Sequence, residues 1–156
     1  MRRVVTLTCA MFAIAASAMG ADNTLGTWKY NTAKSKQGSG ISPISNLTVT
    51  REAIDGGAKI SATGERSDGS KIETVSTVKY GGPVATVTGT GLTWDTASIK
   101  HVDANTLTEQ RSKQGGKYHS TVRTVVSKDG KVMTSTAKGT DPEGKPFTSV
   151  AVFDKQ

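Results

Sequence analysis

Cysteine is all but absent from this chain: the single one, Cys9, lies in an apolar N-terminal stretch. Disulfide scaffolds and cysteine-based metal sites are thereby excluded. Histidine is confined to His101 and His119, far apart in the sequence, and a zinc site needs three or four ligands. Aromatic residues make up 5% of the chain and hydrophobic residues 35%. The usual apolar share, which also counts glycine, is about 45–50%, so no large all-apolar interior is available. Sustained helical periodicity is missing too, which excludes a helical bundle and a multi-pass helical membrane protein.

The one long uncharged run is Val4 to Ala16, preceded by Arg2 and Arg3. Small residues follow at Ala16-Ser17-Ala18 and Ala18-Met19-Gly20. A positive start, an apolar stretch and a small-residue exit read as a secretory signal. The run is shorter than the ~20 apolar residues a bilayer span needs. Thr8 precedes Cys9 where a lipoprotein box wants Gly or Ala. The expected organisation is therefore a signal segment 1–20, which is removed, and one domain 21–156. The product is exported, periplasmic or secreted, without a stable membrane anchor. Residues 21–156 carry 18 basic and 13 acidic residues, a net charge of +5. The basic residues are dispersed among acids, which argues against nucleic-acid binding. A monomer is expected.

What the chain does have is threonine, 23 residues in all, together with valine and regular turn signals. Thr and Val favour strands. Asp55-Gly56-Gly57, Asp68-Gly69, Gly81-Gly82-Pro83, Gly115-Gly116, Asp129-Gly130 and Asp141-Pro142-Glu143-Gly144 punctuate the chain every 8–12 residues or so. They delimit strands at Gly26–Asn31, Asn46–Ile54, Ala58–Ser67, Lys71–Tyr80, Val84–Thr88, Thr93–Val102, Thr106–Lys113, Lys117–Ser127, Lys131–Thr140 and Lys145–Lys155. Ser35 to Ser45 is the one long connection, read as a crossing at a barrel mouth. An open sheet of this size would leave two costly edges, and closure removes them. The fold class is therefore all-β, a single antiparallel up-and-down barrel of 8–10 strands without a helical lid.

Leu25-Gly26-Thr27-Trp28 resembles the Gly-x-Trp that opens the first strand of lipocalins and related calycins. Gly116-Lys117…Val122-Arg123, Asp129-Gly130-Lys131-Val132 and Val152-Phe153-Asp154-Lys155 are similar to the last strands of intracellular fatty-acid-binding proteins. The pattern also resembles small exported bacterial proteins of unknown role. The resemblance spans about residues 25–155. It implies a barrel with a ligand cavity, in which Arg123 matches an arginine that helps hold a lipid carboxylate. The clamp's second arginine and its tyrosine are replaced by Ala151 and Phe153, so only a single-arginine contact carries over. The family's paired-helix lid has no counterpart.

Few side chains are candidates for chemistry. Tyr80, Trp94, Phe153 and Arg123 are the expected ligand contacts, with Gly26 and Trp28 structural and Trp28 plugging the closed end. Tyr80 and Trp94 flank Gly81–Gly91 and are placed near the open mouth, or else fill the core. Arg111 and Arg123 on adjacent strands would need an anionic ligand or internal acid if they face inward. Facing outward, they are surface charges. Glu65, Glu73 and Glu109 are isolated acids, and no nucleophile–base pattern is legible. No catalytic residue, metal or cofactor is expected, although a lone His119 would suffice as a haem ligand.

The leading expectation is a non-enzymatic binder of a small amphipathic ligand. The alternative is an interaction module for another exported protein, suggested by Val150 and Val152 on a last strand apolar on both faces. A third reading is an enzyme with a site around Tyr118, His119 and Arg123.

Overall fold

The computed structural model describes residues 20–38 and 42–156. The expected signal segment lies outside the described residues, apart from Gly20. Eleven strands form one antiparallel sheet: β1 Gly26–Tyr30, β2 Ile44–Ile54, β3 Gly57–Arg66, β4 Lys71–Lys79, β5 Ala85–Thr86, β6 Thr88–Thr90, β7 Thr96–Asp103, β8 Thr106–Ser112, β9 His119–Val126, β10 Val132–Thr140 and β11 Pro146–Lys155. There is no helix among the described residues, and no helical lid.

Sheet order is β5-β7-β8-β9-β10-β11-β1-β2-β3-β4-β6. Its two ends, β5 and β6, are successive pieces of one chain segment separated only by Val87. β5 pairs with β7 and β6 with β4, so this segment bridges the remaining gap. Gly81 N also donates to Ile99 O across the same gap (2.8 Å). The result is a nearly closed up-and-down barrel, which leaves little free strand edge. The expected single strand Val84–Thr88 is thus two short strands, because the chain changes partners at Val87.

Hairpin chemistry sets the register. Gly56 (φ +69°) and Gly130 (φ +71°) take the left-handed backbone that β-branched residues avoid. With the turns set, alternation sorts side chains between lumen and solvent. β9 shows it cleanly: Ser120, Val122, Thr124 and Val126 are buried, while His119, Thr121 and Arg123 are exposed. On β2, Leu47 and Arg51 are buried and Val49 between them is half-buried, whereas Glu52 is exposed.

The two ends of the barrel differ. At one, the segment before β1 lies across the opening. Asn23 N donates to Ala104 O and its Nδ2 to Asn105 Oδ1, both at 2.8 Å. Thr24 is fully buried, and Trp28 beneath it is 0% exposed and donates its indole Nε1–H to Thr24 O (2.8 Å). Lys155 places its ammonium 4.9 Å above the Trp28 ring. Gly26 opens β1 at φ +117°, and an added Cβ there would press on the Lys155 side chain. Trp28, Tyr30, Leu47, Ile72, Val126, Met133 and Phe153 form the main core cluster. At the other end, the chain after β1 runs on along β11. Lys36 and Val150 exchange two backbone hydrogen bonds at 2.7 Å, and residues 39–41 of this connection lie outside the described set.

Candidate ligand cavity

The lumen holds a cavity of about 230 Å³ that reaches the end opposite Trp28. Leu47, Val49, Ile60, Val78 and Ile99 supply apolar wall from β2, β3, β4 and β7. Hydroxyls interrupt it: Thr74, Ser76, Thr124 and Ser135 also line the space. Thr124 and Ser135 satisfy each other across β9 and β10 (2.8 Å), which makes their burial tolerable.

The mouth carries a stack of planar groups. Trp94 lies on Tyr118 (5.9 Å, 21°), and Tyr118 on Phe147 (5.8 Å, 29°). The Arg111 guanidinium lies over the Trp94 ring, 4.4 Å from its centroid. Arg111 Nη2 also donates to Glu109 Oε2 (2.8 Å), with 23% and 12% of the two side chains exposed. Burial pushes the Arg111 guanidinium toward a lower pKa, but the Glu109 charge outweighs it, leaving the value above the ordinary one. Arg66 donates to Ser42 O (2.7 Å) and Gly91 O (2.8 Å) at the rim. Burial, only partly offset by Asp68, holds its pKa below the usual one.

Deeper in the lumen is Arg51, cross-strand from Gly26 on β1 and Ile60 on β3. It is 7% exposed, and its Nε and Nη2 are buried with no hydrogen-bond partner among the described residues. A buried charge without a partner is costly. Asp22, whose carboxylate feels the Arg51 charge, belongs to the closed end. Its Oδ1 accepts from Thr24 N (2.9 Å) and Thr24 Oγ1 (2.5 Å), and its Oδ2 accepts from the Tyr80 hydroxyl (2.7 Å). Burial raises the Asp22 pKa, but these hydrogen bonds and the Arg51 charge prevail, so the carboxyl sits below its usual range. Tyr80 moves the opposite way, raised by burial and then by its bond to Asp22.

Not every expected contact reaches the cavity. Trp94 and Phe153 line it; Phe153 is buried and meets Tyr30 edge-on at 5.5 Å (72°). Tyr80 is at the closed end, not the mouth, where it stacks on His101 (5.5 Å, 17°). Arg123 is on the outer face with Thr121, Thr136 and Lys138, because its neighbours Val122 and Thr124 take the inward positions. The single-arginine contact drawn from the resemblance therefore has no place in the lumen. Tyr118, His119 and Arg123 do not converge: Tyr118 is buried in the stack, while His119 is exposed and hydrogen-bonds Thr140 Oγ1 through Nδ1 (2.7 Å). Val152 is 8% exposed and Val150 is bridged to Lys36, so these two valines do not form a free apolar face. Among the described residues, no three of His, Cys, Asp and Glu are grouped to hold a metal ion.

Arg51 is the residue that sequence reasoning missed. The signal was in β2, where Leu47, Val49 and Arg51 share one parity and place a cation on the inward face. Taken together, the site can hold an apolar body against aliphatic and aromatic walls and an anionic group against a guanidinium. No family model, no curated protein and no solved structure matches this chain, so its class is defined by the geometry alone: an all-β, nearly closed antiparallel barrel, compatible with a calycin-like fold.

Proposed function

We propose that this chain is an exported, non-enzymatic binder of a small amphipathic molecule, acting as a monomer on a lipocalin-like barrel. The observation that carries the reading is the cavity: about 230 Å³, walled by aliphatic and aromatic side chains, with a few polar groups converging on it. Binding sites for small molecules are concave and largely apolar, with a handful of placed polar groups. The Gly26-Thr27-Trp28 opening of β1 supports kinship with the calycins, and the Arg2 to Gly20 segment supports export to the periplasm or medium.

Native mass spectrometry of the protein isolated from its own cells tests this reading. The expected result is a monomer carrying a small-molecule adduct, with an N-terminus near residue 21. A protein that emerges empty and binds no member of an amphiphile panel would overturn it.

A further inference from the structure

We propose that the cavity takes a small organic monoanion, a carboxylic acid with a short alkyl or single-ring body, whose carboxylate is received by Arg51. The inference rests on the small-molecule reading above and assigns that ligand its chemical class.

Charge around the cavity is unbalanced. Lys36, Arg51, Arg66 and Arg111 line it against only Glu109 and Asp141. Glu109 is engaged by Arg111. Asp141 is 2% exposed and accepts from Lys145 N within its own turn (2.8 Å). Arg66 is spent on two backbone carbonyls. Lys36 is exposed, which leaves Arg51, more than nine-tenths buried, beside Tyr80 and with its Nε and Nη2 without a hydrogen-bond partner among the described residues. Asp22 and Arg51 feel each other's charge, while the hydrogen bonds of Asp22 go to Thr24 and Tyr80. A planar guanidinium matches a carboxylate, which it can engage through two parallel N–H donors.

The walls determine the rest of the ligand. Leu47, Val49, Ile60, Val78 and Ile99 offer no partner to a second charge, and the interrupting hydroxyls of Thr74, Ser76, Thr124 and Ser135 carry none, so the body is uncharged and mainly apolar. The volume of about 230 Å³ falls short of the roughly 300–1,000 Å³ of drug-sized sites, so the body is short. A dianionic phosphate would find a single buried cation with open donors, Arg51, for its two charges.

Isothermal titration calorimetry with octanoate, 1-octanol and octylamine on the wild-type protein and on Arg51→Gln tests the proposal. Wild type is expected to prefer octanoate to 1-octanol by roughly ten- to a hundredfold, the range of a hydrogen bond to a charged group, and to reject octylamine. Arg51→Gln should erase that preference, Arg51→Lys should keep part of it, and the outer-face control Arg123→Gln should leave it unchanged. Should Arg51→Gln fail to fold, the wild-type preference and the Arg51→Lys and Arg123→Gln results decide. Equal binding of octanoate and 1-octanol, or a preference that survives Arg51→Gln, would overturn the assignment to Arg51 and leave the cavity reading intact. Failure of wild type to bind any of the three would overturn both.

Discussion

The closed end and the lumen of this barrel treat their polar groups in opposite ways. Around Trp28, donors and acceptors close on one another: Thr24 and Tyr80 both donate to Asp22, the indole to Thr24 O, and Asn23 to Ala104 and Asn105. On the lumen side of this network, Arg51 is buried with its Nε and Nη2 left open. The closed-end network leaves a single neutral group, His101 Nε2, without a partner among the described residues, whereas Arg51 leaves two donors of a buried cation open. Polar groups satisfied internally serve stability, whereas a buried charge left open lowers stability unless something outside the chain meets it. The contrast separates scaffold from site without reference to any relative.

Five substitutions break or sharpen that contrast. The largest effect belongs to the scaffold. Trp28→Ala removes the most buried large side chain and strands Thr24 O, and urea unfolding should register a loss of about 3–5 kcal/mol. Asp22→Ala leaves the Tyr80 hydroxyl and two Thr24 donors without their acceptor, for a loss of about 2 kcal/mol by the same measurement.

Asp22 also gives the contrast a pH signature. Its pKa is lower folded than in the unfolded chain, so its stabilisation is present above the ordinary carboxylate value and fades as pH falls through the folded one. Tyr80, raised on folding, contributes below its ordinary value near 10 and loses that contribution as pH rises past it. Urea midpoints measured across pH should therefore decline on both flanks. Asp22→Asn should flatten the acid flank.

Arg51→Met should invert the sign. Exchanging a buried cation that keeps two donors open for an apolar side chain is expected to raise stability by about 1–2 kcal/mol, read from thermal unfolding. Trp94→Ala is the mildest. Trp94 is half-buried at the mouth, so its loss should cost no more than about 1 kcal/mol while exposing Arg111 to solvent and weakening ligand binding in calorimetry.

Much of the fold was legible because strand ends in this chain are written in turn residues. Asp55-Gly56 and Asp129-Gly130 mark hairpins that the structure forms, and nine of the ten expected strands correspond one to one with observed strands. The exception, residues 85–90, bends at Val87 to change neighbours, a demand of closure that local sequence does not record. The site was less legible, for a related reason. Alternation within one strand tells which residues share a face, and in β9 it sets Arg123 outward with Thr121, against its expected place as a ligand contact. It would also have sent Arg51 inward with Leu47. Which end is capped depends on the segment before β1 folding back over residues 104–105 and Tyr80, a contact across the whole chain. Tyr80, expected at the mouth, therefore lies at the opposite end.

The central claim is that the barrel trades stability at Arg51 for recognition of an anion. Thermal unfolding of wild type and Arg51→Met, each with and without octanoate, tests it in one experiment. Without ligand, Arg51→Met should unfold at the higher temperature, and octanoate should raise the midpoint of wild type alone. An Arg51→Met protein that is less stable than wild type, with octanoate shifting both proteins equally or neither, would contradict it.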